Sequence, residues 1–198
     1  IESGSEHVRD GADKIYGNNE IKDVVRRIQE AGIYIIGNYI FGLPDDNLER
    51  MQQTLELALD LNCEFANFYS AMAYPGSPLY QDAVRLKTPL PDSWKDFSQH
   101  GYNAKPLANQ HCSAAQILEF RDHAFEQYFS HEPYLDMIRN KFGLPLIYDF
   151  NIASRDKRRL RNLEYMRWNC PKGWQELWSK KLDQLKKNIN ERKRQTLN

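Results

Sequence analysis

Cysteine is the first scarcity. Only Cys63, Cys112 and Cys170 occur in 198 residues, far apart and odd in number. That excludes a disulfide framework or zinc knuckle within the chain and fits a reducing cytoplasm. No run of about 18 apolar residues occurs, so no membrane span is predicted. No basic stretch followed by an apolar core opens the sequence, so no signal peptide is read. His7, His100, His111, His123 and His131 are scattered, without HExxH or other paired metal spacing. Walker loops, GxSxG elbows and kinase motifs are missing as well. This inventory names no metal ligand and no catalytic residue.

Net charge is missing too, with 27 basic and 27 acidic residues, but the balance is uneven along the chain. Residues 154–198 hold 14 Lys/Arg against 5 Asp/Glu, which leaves 13 against 22 for residues 1–153. An acidic body therefore carries a basic tail. No zinc-finger, basic-zipper or aromatic RNA-binding pattern accompanies the tail, so it reads as a solvated helix face rather than a nucleic-acid surface.

What is present begins with an amphipathic helix over 20–31. Ile21, Val24, Val25, Ile28 and Ala31 share its apolar stripe, Asn19 is a candidate cap, and Gly32 ends it. Residues 33–41 are β-branched and aromatic, too apolar to alternate, and predict a strand buried on both faces. Gly42-Leu43-Pro44-Asp45-Asp46 is a turn. Asp46 with Glu49 predicts a capping box for a helix to about Leu61, with Leu48, Met51, Leu55, Ala58 and Leu59 inward. Residues 65–73 predict a second buried strand, ending at Tyr74-Pro75-Gly76-Ser77-Pro78.

Strands alternating with helices imply βαβ crossovers and a parallel sheet. Ile1 then falls at the end of another strand, and the chain reads as starting inside a larger unit. The turns at 2–5, 42–46 and 74–77 are one βα unit apart. They should leave the sheet at one edge, the C-terminal strand ends, where such folds place their active sites. Glu2-Ser3-Gly4-Ser5 puts a carboxylate and two hydroxyls around a glycine there, suited to ribose hydroxyls or a ligand amino group. Gly37 and Gly42 bracket the next strand and admit a ligand or a neighbouring backbone. Further on, residues 85–112 read as a long loop carrying Pro89, Pro91, Trp94, Phe97, His100, Tyr102 and Pro106. Ser113 and Gln116 predict a capping box for an apolar helix, Pro133 opens another that Gly143 ends, and 154–168 and 172–195 predict basic helices.

In order, these pieces resemble the radical S-adenosylmethionine enzymes. The resemblance rests on Ile1-Glu2-Ser3-Gly4-Ser5 at the end of the family's fourth strand and the run from Gly37 to Pro44 along the fifth. It continues with the run from Asn67 to Tyr80 along and after the sixth. Phe120-Arg121-Asp122-His123-Ala124-Phe125 and Lys141-Phe142-Gly143 look like the C-terminal extension of a subgroup that usually carries an N-terminal cobalamin-binding domain. The similarity spans about residues 1–165.

The resemblance implies the C-terminal half of a partial (β/α)6 TIM-like barrel over residues 1–84. The 85–112 loop would follow, then an all-helical extension over 113–198. It implies S-adenosylmethionine and a 4Fe–4S cluster that cleaves it reductively for radical chemistry, such as cobalamin-dependent methyl transfer or rearrangement. Glu2, Ser3, Gly4 and Ser5 match the motif near the cofactor's ribose and methionine. Gly37, Ile40, Gly42 and Pro44 match the segment near its adenine, and Tyr74, Pro75 and Gly76 line the same mouth. The family's CxxxCxxC loop is absent from these residues, and Asp45-Asp46-Asn47 stands where the family has Gly-Glu-Thr. The cluster ligands and any cobalamin domain are therefore expected upstream, and an N-terminal half of the same protein is the expected partner. A half barrel leaves apolar strand edges open. Two other readings fit: a non-catalytic interaction module docking through that edge and the basic tail, or a piece of an unrelated (β/α) barrel enzyme.

Overall fold

A computed structural model describes residues 1–14, 16–99 and 104–142, and beyond them Glu176, Ser179, Lys180, Leu182, Asp183, Gln184, Lys186 and Lys187. His100, Tyr102, Gly143, Cys170, the 154–168 helix and most of the 172–195 helix lie outside the described residues. The chain divides into two compact units, Ile1–Leu144 and Pro145–Asn198. In the second unit the described residues are helical, and Lys180 pairs with Glu176 one turn away at 2.9 Å.

The first unit is α/β. Its elements are α1 (Glu6–Asp10), α2 (Asn18–Glu30), β1 (Ile36–Phe41), α3 (Leu48–Leu61), β2 (Phe65–Ser70), α4 (Pro78–Arg85), a 3-10 turn at Trp94–Phe97, α5 (Ala114–Ser130) and α6 (Glu132–Phe142). β1 and β2 pair in parallel, with Ile36 opposite Phe65 and Phe41 opposite Ser70. Glu2 extends this arrangement on the other side of β1. Its N–H donates to Asn38 O at 3.0 Å and its carbonyl accepts from Ile40 N at 2.7 Å, a parallel bridge to Tyr39. A parallel sheet is thus present. Among the described residues this sheet has two strands, β1 and β2, with the Glu2 bridge beside β1.

The core lies on one face of the sheet. Tyr39 stacks on Phe68 at 5.3 Å and Phe41 on the same ring at 5.8 Å. α5 supplies Phe120 against Phe41 and Tyr128 against Phe68, both edge-on. Burying rings such as Tyr39, Phe41 and Tyr128 contributes roughly 1.5–3 kcal/mol each. Phe120 thus lies by the end of β1, whereas Tyr128 Oη donates to Cys63 O just before β2. The helix therefore runs antiparallel to the strands. A second cluster joins Ile21 and Val25 of α2 to Leu57, Leu61 and Cys63, with Ile1, Tyr16 and Ile35 against it.

Several local expectations are corrected. β1 is not buried on both faces: Gly37, Tyr39 and Phe41 are buried, whereas Ile36 is 59 % exposed. Among the described residues α3 and α5 pack on the Tyr39 and Phe41 side, so the apolar run alternates in burial although not in sequence. Val24 is exposed because α2 presents only Ile21 and Val25 to α3. α2 is preceded by Gly17 without a side-chain cap, not by Asn19. The cap of α3 is Asn47, whose side chain accepts from Arg50 N at 2.9 Å, not Asp46. The Ser113–Gln116 capping box forms in full at α5.

Candidate functional site

Because the Glu2 bridge, β1 and β2 are all parallel, the turns that follow them leave the sheet at one edge. Each turn is built differently.

The first turn is held from below by α3 and from the side by α1 and α2. Gly4 N–H donates to Thr54 Oγ1 at 2.9 Å, and Thr54 Oγ1 donates to Arg50 O at 3.1 Å. Thr54's single proton being spent, Ser3 Oγ must be the donor in its 3.1 Å bond to Thr54, and it accepts from Ser5 N–H in turn. A Cβ on Gly4 would lie 2.4 Å from Gln53 O, so this glycine answers the close approach of the α3 backbone. Arg9 is fully buried and ties the turn to α2. Its Nη1 donates to Ser3 O at 2.6 Å and to Asn18 Oδ1 at 2.8 Å, while Nε and Nη2 both reach Tyr16 O. Asn18 Nδ2 closes the loop on Gly4 O at 3.0 Å. Glu2 itself sits at φ 68°, left-handed for a non-glycine residue. Its carboxylate stays 31 % exposed, with Lys14 at 3.8 Å.

The second turn closes on Asp46. Gly42 adopts φ +82°, and a Cβ there would come within 2.6 Å of Ile117 on α5. Gly42 N–H donates to Asp46 Oδ2 at 2.9 Å, whereas Asp46 Oδ1 has no hydrogen-bond partner among the described residues although the residue is fully buried. Burial pushes the Asp46 carboxyl up to about 6, against the opposing pull of the Gly42 N–H and the Arg50 charge. Asn109 braces the turn from outside, donating to Leu43 O and Asp46 O and accepting from the N–H groups of His111 and Cys112. Pro44 is exposed at the tip.

The third turn follows β2. Tyr74, Pro75 and Gly76 are exposed, and Gly76 adopts φ +90° with open space around it. Tyr74 leans on Phe97 at 6.2 Å, and Phe97 on Trp94 at 6.1 Å. The 85–112 segment is pinned to the end of β2. The Gln99 side chain both accepts from Ser70 N and donates to Ser70 O, and Leu107 N donates to Ala71 O. Arg121, buried and paired with Asp122, holds Gln99 through its carbonyl.

The expected site residues therefore separate. Glu2, Pro44, Tyr74, Pro75 and Gly76 reach solvent at the shared edge, and Ile40 is half-buried on the open face of β1. Ser3 and Gly4 are spent on internal bonds. Ser5 is buried, but its hydroxyl makes no hydrogen bond among the described residues. Gly37 lies on the helix-covered face, against the Tyr39 ring. Sequence reasoning missed Arg9 and Thr54, which build the first turn. Thr54 had a signal, a small hydroxyl inside the α3 stripe. Nothing flagged Arg9. Among the described residues no group of three or more His, Cys, Asp or Glu could hold a metal ion, and no helix is long and apolar enough to cross a membrane.

No protein-family model matches the chain. Three curated proteins are similar to parts of it. An uncharacterized methyltransferase of Pyrococcus horikoshii is 28 % identical over 98 residues, 50 % of this chain and 21 % of that protein. A tRNA-2-methylthio-N(6)-dimethylallyladenosine synthase of Klebsiella pneumoniae is 27 % identical over 116 residues, 58 % of this chain and 23 % of that protein. An anaerobic magnesium-protoporphyrin IX monomethyl ester cyclase of Cereibacter sphaeroides is 29 % identical over 84 residues, 42 % of this chain and 13 % of that protein. The matched segments span about a fifth of the first two relatives.

Proposed function

We propose that the chain forms the cofactor-facing C-terminal wall of a radical S-adenosylmethionine enzyme. The observation that carries this reading is the delivery of three turns to one edge by parallel backbone at Glu2, β1 and β2. The partial similarities to a methyltransferase, a methylthio-transferring synthase and a cyclase support a radical S-adenosylmethionine or methylating role in coarse terms. The parallel pairing is consistent with the last strands of a (β/α)6 barrel.

The residues present fit the organic cofactor in part. The exposed Glu2 carboxylate would accept from a ribose hydroxyl or the methionine amino group, and the unbonded Ser5 hydroxyl would add a donor. Ser3, Gly4, Arg9 and Thr54 act behind them by fixing the turn. Ile40 and the 42–46 turn would take the adenine side, and Tyr74, Pro75 and Gly76 the mouth. The cluster does not fit here, since Cys63 and Cys112 are both buried and no ligand group is present among the described residues. Its thiolates, and any cobalamin domain, would come from sequence beyond these residues. When bound, the cluster and cofactor would supply radical hydrogen abstraction.

The test is anaerobic reconstitution of the full-length protein with iron and sulfide. A 4Fe–4S spectrum and release of 5′-deoxyadenosine from S-adenosylmethionine under reducing conditions are expected. Absence of both would refute the reading. Glu2→Gln is expected to weaken cofactor binding while leaving the cluster spectrum unchanged.

A further inference from the structure

We propose that Asn109 is a positioning residue for the ligand: its side-chain amide holds the 42–46 turn in the shape that the adenine side of the site requires. Asn109 lies in the segment leading into α5, 63 and 66 residues along the chain from its partners in the turn. Its Nδ2 donates to Leu43 O at 2.8 Å and to Asp46 O at 3.0 Å. Its Oδ1 accepts from His111 N at 2.9 Å and from Cys112 N at 2.7 Å. Both amide protons and both carbonyl lone pairs are thereby used. The reverse orientation would set donor against donor and acceptor against acceptor, so the surroundings admit one placement of the amide.

The two halves of the amide serve different ends. The Oδ1 bonds are local and shape the loop before α5, as does the backbone bond from Asn109 N to Cys112 O at 3.1 Å. α5 starts on its own complete capping box at Ser113 and Gln116. The Nδ2 bonds do nothing for that loop; they cross to the second turn. Leu43 O already accepts from Asp46 N at 2.9 Å, so Asn109 takes its second lone pair. Asp46 is also the residue whose carboxyl takes the Gly42 N–H from inside. The turn is thus clamped by Asp46 within and Asn109 without, and Arg50 adds a tie to Asp45 O at the surface.

The same stretch of chain fixes the neighbouring strand end. Leu107 N donates to Ala71 O just past β2 at 2.9 Å, and Ile117 packs where a Cβ on Gly42 would stand. Residues 107–117 therefore set the ends of both strands, with Asn109 at the crossing to β1. Assigning the adenine to this turn rests on the function proposed above; the hold of Asn109 on the turn rests on these bonds alone.

Asn109→Asp separates the two halves. A carboxylate still accepts from His111 and Cys112 but sets an oxygen against Leu43 O and Asp46 O. Asn109→Ser keeps a hydroxyl for the local loop and is too short to reach the turn. In the full-length protein, reconstituted anaerobically, amide hydrogen exchange over 42–47 is expected to quicken at least about tenfold in both variants and to stay unchanged along α5. The Kd for S-adenosylmethionine, measured without reductant, is expected to rise about tenfold, the equivalent of one lost hydrogen bond. With reductant the loss is expected in KM rather than kcat, whereas a smaller folded fraction would lower kcat. Unchanged exchange over 42–47, exchange quickened equally along α5, or an unchanged Kd overturns the proposal, and either variant decides it if the other does not fold. Wild-type protein that binds no S-adenosylmethionine sinks the enzymatic reading and the ligand assignment with it. Wild-type binding that neither variant weakens sinks this inference alone.

Discussion

Asp46→Asn tests whether the second turn holds a carboxyl in its neutral form. In the unfolded chain the Asp46 carboxyl titrates near its ordinary 3.8, and in the fold burial pushes it up to about 6. Between those values the folded state binds more protons than the unfolded state. Stability from this group is therefore full below about 3.8 and is lost as pH rises through about 6. At neutral pH the difference of about two units corresponds to roughly 3 kcal/mol, an upper bound because a charged Asp46 can draw water or relax the turn. Asparagine keeps an acceptor for the Gly42 N–H and carries no charge. It places an amide where Oδ1 now has no partner, which costs about 1–2 kcal/mol at every pH. Urea unfolding of both proteins from pH 4 to pH 7.5 separates these contributions. The variant is expected to be the less stable at pH 4, to gain steadily on the wild type, and to equal or exceed it at pH 7.5. A difference that does not change with pH, or that moves the other way, would show that the carboxylate is charged and satisfied, and would refute the reasoning.

Other perturbations read other parts of the site. Thr54→Val keeps the shape but removes the acceptor of Gly4 N–H and of Ser3 Oγ, and should destabilise by about 2–3 kcal/mol in urea unfolding. Gly4→Ala drives a methyl into Gln53 O, and loss of the cooperative thermal transition is expected. Gly42→Ala meets both a left-handed backbone and Ile117; adding Ile117→Val removes only the nearest of three clashing atoms, so it should recover a small part of the loss, leaving the Cγ overlaps and about 1 kcal/mol of backbone strain. Burial pushes the Cys63 thiol up to about 11, so it should resist a thiol-specific reagent at pH 8 until the protein is denatured.

The sequence was legible where local rules and tertiary packing agree. The Ser113–Gln116 box, the parallel strands and the three turns at one edge follow from spacing alone, because capping and βα alternation are written in neighbouring residues. It misled where a third partner decides. Asp46 and Glu49 satisfy the capping pattern, yet Gly42 N–H claims the Asp46 carboxylate and leaves the cap to Asn47. The run over 33–41 has the composition of a doubly buried strand, but burial depends on what covers each face, which no stretch of nine residues encodes. Gly37 and Gly42 suggest the approach of a ligand or a neighbouring backbone, but what lies against them is the Tyr39 ring and the Ile117 side chain; the backbone approach falls at Gly4, against α3.

Arg9 shows why the first turn holds its shape from within. Removing a guanidinium from water is costly, and the nearest carboxylate, Glu6, is 63 % exposed at 3.8 Å. Compensation comes instead from oxygens: two backbone carbonyls and one side-chain amide accept from all three of its nitrogens. Those acceptors belong to Ser3, Tyr16 and Asn18, and Asn18 returns a donor to Gly4 O. Apart from the backbone bonds of Glu2 to Asn38 and Ile40 and the Thr54 anchor under Gly4 and Ser3, these partners lie within the first eighteen residues. The conformation of the turn therefore depends on α1, α2 and α3. Backbone strain at Glu2, a helix in contact with Gly4 and a buried cation under Ser3 are three parts of one device. It leaves the Glu2 carboxylate as the turn's exposed acidic group, at the edge where the other two turns emerge.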